Sequence, residues 1–122
     1  MAVTHSTATR NAIADAVLAD IDIDAGAGKL LFQTSGSGEV ATLTLSDPAG
    51  TVSAAVLTFS SITSDTSATG GTVSKFEIQS NSGGARVLGN VLTSGGDINL
   101  SSLTVGVGDT VSMSSLTYTA PV

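Results

Sequence analysis

A chain of 122 residues with 41% apolar residues is long enough for one hydrophobic core, and the absence of cysteine excludes both a disulfide framework and a thiolate metal site. Its net charge is −6 and its fixed cations are Arg10, Lys29, Lys75 and Arg86, scattered along the chain, which argues against a nucleic-acid partner; four aromatics (Phe32, Phe59, Phe76, Tyr118) are too few for a base-stacking platform. No apolar run is long enough to span a bilayer, and residues 1–6 lack the basic-then-apolar order of a signal peptide, so the chain is expected to be made and folded in a cytoplasm with no membrane partner.

Residues 1–6 read as an arm, 7–22 as a helix and 29–119 as a β-domain, all within one domain spanning 1–122. Ser6 or Thr7 can cap the helix, and Ile13, Val17 and Ile21, supported by Ala12 and Ala16, form its apolar stripe. That leaves Arg10, Asn11, Asp15 and Asp20 elsewhere on the surface. Gly26 and Gly28 end the helix, and Asp20 and Asp22 sit badly with the negative end of its dipole. From Lys29 the period changes to two and turn residues recur every eight to twelve positions, which predicts a mainly β fold. Strands are expected at 29–34, 39–46, 51–59, 72–80, 85–93, 98–104 and 110–119, joined as antiparallel hairpins. The expectation is an antiparallel β-sandwich or barrel of about seven strands with one N-terminal α-helix.

The strand faces point to function through contact. In 51–59, Ala54 and Val56 oppose Ala55, Leu57 and Phe59; in 85–93, Val87 and Val91 oppose Leu88 and Leu92. Strands apolar on both sides need cover on both, from the helix, a second sheet or a partner subunit. In 110–119, Val111 and Met113 share one phase while Leu116 and Tyr118 share the other, so a bulge or a change of neighbours is expected near Ser114-Ser115. The polar stretch 60–71 reads as a long exposed loop anchored by Ile62. The candidate protein-contact residues are therefore Val3 and His5 on the arm, Val56, Leu57, Phe59 and Ile62, and Val87, Leu88, Val91 and Leu92.

Motifs that suggest chemistry fail on spacing. Asp20-Ile21-Asp22-Ile23-Asp24 resembles a calcium loop, but Ala25 stands where glycine is required and Leu31 where a bidentate acid is required; a solvated helix end explains it. Gly26-Ala27-Gly28-Lys29 lacks the upstream strand, the glycine spacing and the hydroxyl residue of a phosphate-binding loop. His5, the single histidine, has no serine and acid in register for a triad. Asp65, Asp97 and Asp109 read as turn-forming aspartates, and the sequon Asn99-Leu100-Ser101 carries no weight without secretion. No catalytic, cofactor-binding or metal-ligating residue is assigned, so the chain is not read as an enzyme.

Residues Ala8-Thr9-Arg10-Asn11-Ala12-Ile13-Ala14-Asp15-Ala16-Val17, Gly26-Ala27-Gly28-Lys29-Leu30, Ala41-Thr42-Leu43-Thr44-Leu45-Ser46-Asp47-Pro48-Ala49, Gly96-Asp97-Ile98-Asn99-Leu100 and Ser115-Leu116-Thr117-Tyr118-Thr119-Ala120-Pro121 resemble a family of small tailed-phage and prophage virion proteins. The resemblance runs through nearly the whole chain and carries no site residues. It implies a virion structural protein, with capsid decoration (a cement protein) as the expected role, the major capsid protein as partner and a homotrimer as the assembly. The alternatives are a tail, baseplate or fibre-associated component, and a carbohydrate-binding adhesion module.

Overall fold

A computed structural model describes residues 3–113 and 115–121. Among them, one helix, α1 (Thr7–Ile21), is followed by ten strands: β1 (Lys29–Gln33), β2 (Glu39–Thr44), β3 (Gly50–Ser53), β4 (Val56–Phe59), β5 (Gly71–Thr72), β6 (Lys75–Gln79), β7 (Ala85–Leu92), β8 (Ile98–Asn99), β9 (Thr104–Val105) and β10 (Thr117–Thr119). The fold is the expected mainly β, sandwich- or barrel-like one with an N-terminal helix. It has more strands than the sequence suggested because several expected strands are interrupted.

Ser6 caps α1, its side-chain oxygen accepting from the Thr9 N–H at 3.2 Å. Ala14 and Ile21 are fully buried, and Ile13, Val17 and Leu18 pack against the core. Ala12 and Ala16, expected on that stripe, are exposed. With 3.6 residues per turn, positions 14, 18 and 21 share the face that 12 and 16 cannot reach.

The main sheet has the order β2-β1-β6-β7-β8, antiparallel except for the β7–β8 contact. Its inner face carries Leu30, Phe32, Ala41, Leu43, Phe76, Ile78 and Val91, all buried. A second sheet, β10-β4-β3, turns Ala55, Leu57 and Phe59 toward the same core, and a two-stranded piece, β5-β9, closes one end.

Several expected elements are corrected. The expected strand 51–59 is a hairpin, because Ala54 and Ala55 both adopt left-handed conformations, with φ of 51° and 69°. That geometry suits a two-residue turn between twisted strands, but alanine does not announce it. The turn is held from outside: the Ala55 N–H donates to Asn11 Oδ1 at 2.6 Å, and the Ala55 carbonyl accepts from the Ala120 N–H at 2.9 Å. Expected strand 72–80 breaks at Val73-Ser74, where the chain steps from β5 to β6: the Val73 N–H reaches the Leu103 carbonyl and the Ser74 N–H that of Gln33. The turn at 94–97 makes no antiparallel hairpin; Asn90 and Asp97 exchange backbone–side-chain hydrogen bonds of 3.0 and 2.9 Å, and β8 returns parallel to β7.

The stretch 60–71 is irregular but is no free loop. Thr63 bridges to Thr44 and Asp65 to Val111, and Ala68 is buried. The Asp65 carboxylate also accepts from the Thr42 and Ser67 N–H groups, each at 2.9 Å. Because Val111 pairs with Asp65 while β10 pairs with β4, the chain changes neighbours between them. Ser114, where the change was expected, lies outside the described residues. No helix among the described residues is long and apolar enough to cross a membrane.

Candidate functional site

Two strand edges meet at one side of the sandwich. The Val91 N–H bonds to the Ser74 carbonyl, so antiparallel alternation places Gly89 and Val87 in hydrogen-bonded pairs with β6 and turns the backbone of Leu88 away from it. β8 pairs only with Val91 and Leu92, leaving the earlier half of β7 as an edge. On β10, the Leu116 carbonyl accepts from the Phe59 N–H and the Ala120 N–H donates to Ala55. Tyr118 therefore faces β4 through its backbone, while Thr117 and Thr119 present theirs outward.

Between these edges lies a seam of about 310 Å³. Phe59, Phe76 and Ile78 form its floor, Val87 and Leu88 one wall, and Leu116 through Thr119 the other; Asp97 is its charged lining group. Glycine is required at 89, on the wall strand, because a Cβ there would stand 2.5 Å from the Phe76 ring and 2.7 Å from Asp97 Oδ2. A second cleft, of about 250 Å³, is bordered by Leu100–Ser102, Thr104, Val105 and Asp109–Ser112 and is largely hydroxyl-lined.

The sequence-derived contact residues divide into three groups. Val3 is 81% exposed and His5 is exposed on the arm, while Leu88 and Leu92 are 66% and 40% exposed on the outer face of β7. Val56, Ile62 and Val87 are half-buried, Val87 lining the seam. Leu57, Phe59 and Val91 are buried core residues, which corrects their expected place on an outer strand face, although Phe59 also lines the floor of the seam. For Leu57 and Phe59 the cause is the Ala54-Ala55 turn, which leaves β4 with one buried face rather than two apolar ones. Val91 points inward because β7 alternates from Val87 onward, and its outer-face neighbours are exposed.

The aspartates at and after the end of α1 do not converge on a common point. Asp20 pairs with Arg86 at 3.3 Å, Asp22 accepts from the Ala49 N–H at 3.1 and 3.2 Å, and Asp24 accepts from the Ser82 hydroxyl at 2.6 Å and the Ser82 N–H at 3.2 Å. Asp20 and Asp24 therefore tie the helix end to the β6–β7 hairpin, and Asp22 ties it to the start of β3. The Ser82 hydroxyl, then that of Ser80, then the Ser82 backbone N–H hold the Asp24 carboxyl below the usual carboxylate range, because all three stabilise the charged form. At Gly28 a Cβ would lie 2.4 Å from the Gln79 carbonyl oxygen, so the glycine serves a close backbone crossing. No group of three or more acidic, histidine or cysteine side chains that could hold a metal occurs among the described residues. Asp97 and Asp109 accept backbone N–H bonds from Asn90 and Gly106, within their turns.

Sequence reasoning placed Arg10 and Asn11 on the surface without function. Arg10 instead donates to the Ala120 and Pro121 carbonyls at 2.9 and 3.1 Å, fixing the chain just beyond β10, and Asn11 fixes the Ala55 turn. The seam itself was missed; its only sequence signal is the Thr-Tyr-Thr alternation of 117–119. No protein-family model, no curated protein and no solved structure matches this chain.

Proposed function

We propose that this chain is a structural protein of a tailed-phage particle, and within it a decoration protein that seats on the major capsid protein as a homotrimer. The observation that supports contact as its work is the outer face of β7, where Leu88 and Leu92 stand exposed. Across β6 their outer-face neighbours are Glu77, opposite Leu88, and Lys75, opposite Asn90. Covering those two leucines contributes about 1–2 kcal/mol each. Repeated by shell symmetry, such modest contacts add up to resistance against expansion and internal pressure. The virion setting comes from the sequence resemblance.

The test is co-sedimentation of the purified protein with phage heads that lack it, followed by imaging of the complex. Saturable binding in a ratio fixed by the shell lattice is the expected result. Protein that stays in the supernatant at every concentration overturns the reading, and label on the tail alone moves the role there.

A further inference from the structure

At the Ala54-Ala55 turn three separate parts of the chain become conditional on one another. Both alanines sit in the left-handed region, which is costly for a residue with a Cβ and persists only where its surroundings hold it. Ala55 is fully buried, so its N–H and carbonyl depend on protein partners. Asn11 on α1 accepts from the first, and the Ala120 N–H donates to the second. Arg10, the residue before Asn11, holds the carbonyl of the same buried Ala120 at 2.9 Å. Withdrawing the start of the helix, the turn or the C-terminal segment therefore strips a buried backbone group in one of the others.

The neighbours of this cluster are fastened independently of it. The far end of α1 is tied down by Asp20, Asp22 and Asp24, and Ile21 is fully buried there. Val111 exchanges two backbone hydrogen bonds with Asp65, so the chain is fixed before β10 begins. β10 itself has three residues and pairs on one side only, with β4. By contrast, β1 lies between β2 and β6 and carries Leu30 and Phe32 into the core. We infer that the N-terminal half of α1, the Ala54-Ala55 turn and residues 116–121 form one opening unit, latched at Ala55. The three parts release and dock together while the main sheet stays folded. Because Leu116 through Thr119 form one wall of the seam, release bares Phe59 and Phe76 on its floor and frees the edge of β4 that β10 covers. The latch thereby controls access to an apolar surface that the closed fold walls off. The inference is independent of the chain's place in a particle.

Native-state hydrogen exchange followed by NMR, where protection reports the opening equilibrium, tests the unit. The amides of Ala12, Ile13, Ala55, Tyr118 and Ala120 are expected to share one protection factor, about tenfold or more below that of Leu30 and Phe32. Val40→Ala, a core truncation on the edge strand β2 of the main sheet, separates local opening from global unfolding. It is expected to lower protection at Leu30 and Phe32 by about tenfold and to leave the five unit amides unchanged. Asn11 bonds Ala55, and Arg10 bonds Ala120 and Pro121, yet Asn11→Ala and Arg10→Ala are each expected to lower Ala55, Tyr118 and Ala120 by one common factor. Ala54→Gly, at an exposed position whose φ of 51° suits glycine, is expected to raise protection at all three by about threefold. That variant relieves strain, so it keeps the test valid if another fails to fold. Unit amides that fall together with Leu30 and Phe32 in Val40→Ala overturn the inference. So do Asn11→Ala and Arg10→Ala effects confined to the group each side chain bonds, or a loss of protection in Ala54→Gly.

Discussion

Replacing Gly50 with alanine tests whether the second sheet is assembled as described. Gly50 opens β3 opposite Phe59, and a Cβ there would stand 2.1 Å from the Thr58 carbonyl oxygen, 2.8 Å from its carbon and 2.9 Å from Phe59 Cα. Ordinary carbon–oxygen contacts are about 3.3 Å or more, so the two strands would have to separate by about 1 Å. All three obstructing atoms are backbone, so no rotamer change relieves them. β4 is held on its far side by β10, and Ala49 is held by Asp22 and Ser60, so neither strand is free to retreat. Overpacking of this kind costs about 1–3 kcal/mol and a weakened ladder bond about 1 more, while alanine returns about 0.5 by restricting the unfolded chain. The net expectation is a loss of about 2–3 kcal/mol. Urea unfolding followed by circular dichroism reads it as a midpoint about 1–2 M lower at unchanged slope. Gly36→Ala is the control: nothing lies within 4 Å of its Cβ position, and it should be neutral or slightly stabilising. A Gly50→Ala midpoint indistinguishable from the parent, or a Gly36→Ala loss as large, would refute the placement of β3 against β4.

Asp22→Ala should cost about 1–3 kcal/mol in thermal unfolding, because it strips the buried Ala49 N–H of its acceptor; Asp22→Asn should recover most of that. Arg10→Ala should lose about 1–2 kcal/mol and speed amide exchange at Tyr118 and Ala120, and unchanged protection there would contradict the anchoring role of the guanidinium. The Asp24 carboxyl titrates below its ordinary value, so its contacts with Ser82 stabilise the fold above the unfolded carboxylate pKa and are lost as pH falls through the lowered folded one. Ser82→Ala should move the Asp24 titration, followed by carboxyl-carbon NMR, back up toward the usual range; no movement would show the hydroxyl is not the main cause.

Local patterns were legible in the sequence, and long-range obligations were not. The Ser6 cap, the alternation of β7 and the starts of β1, β2 and β7 depend on nearby residues and were readable from them. The Ala54-Ala55 reversal was invisible because the groups that stabilise it, Asn11 and Ala120, lie far along the chain. For the same reason Asp20, Asp22 and Asp24 looked like a solvated helix end, although Asp20 and Asp24 have partners on the β6–β7 hairpin and Asp22 one beside β3. The contact candidates show the same limit. Pattern distinguishes the Val91 face of β7 from the Leu92 face, but which is covered depends on a sheet assembled from residues 50–59 and 117–119.

The strand order also sets a schedule for the chain as it leaves the ribosome. Leu30 pairs early with Leu43, but its other neighbour, Ile78, is synthesised much later. Until then the first hairpin must hold Leu30 and Phe32 without their main cover. The last strand, β10, finishes the second sheet, and Arg10 finds its carbonyl partner 110 residues downstream. Such non-local closure makes folding slow and leaves the helix dependent on the residues just beyond the strand it locks. A ribosome-bound fragment ending before residue 117 should therefore keep α1 labile, and the native state should appear only as the C-terminal segment clears the exit tunnel.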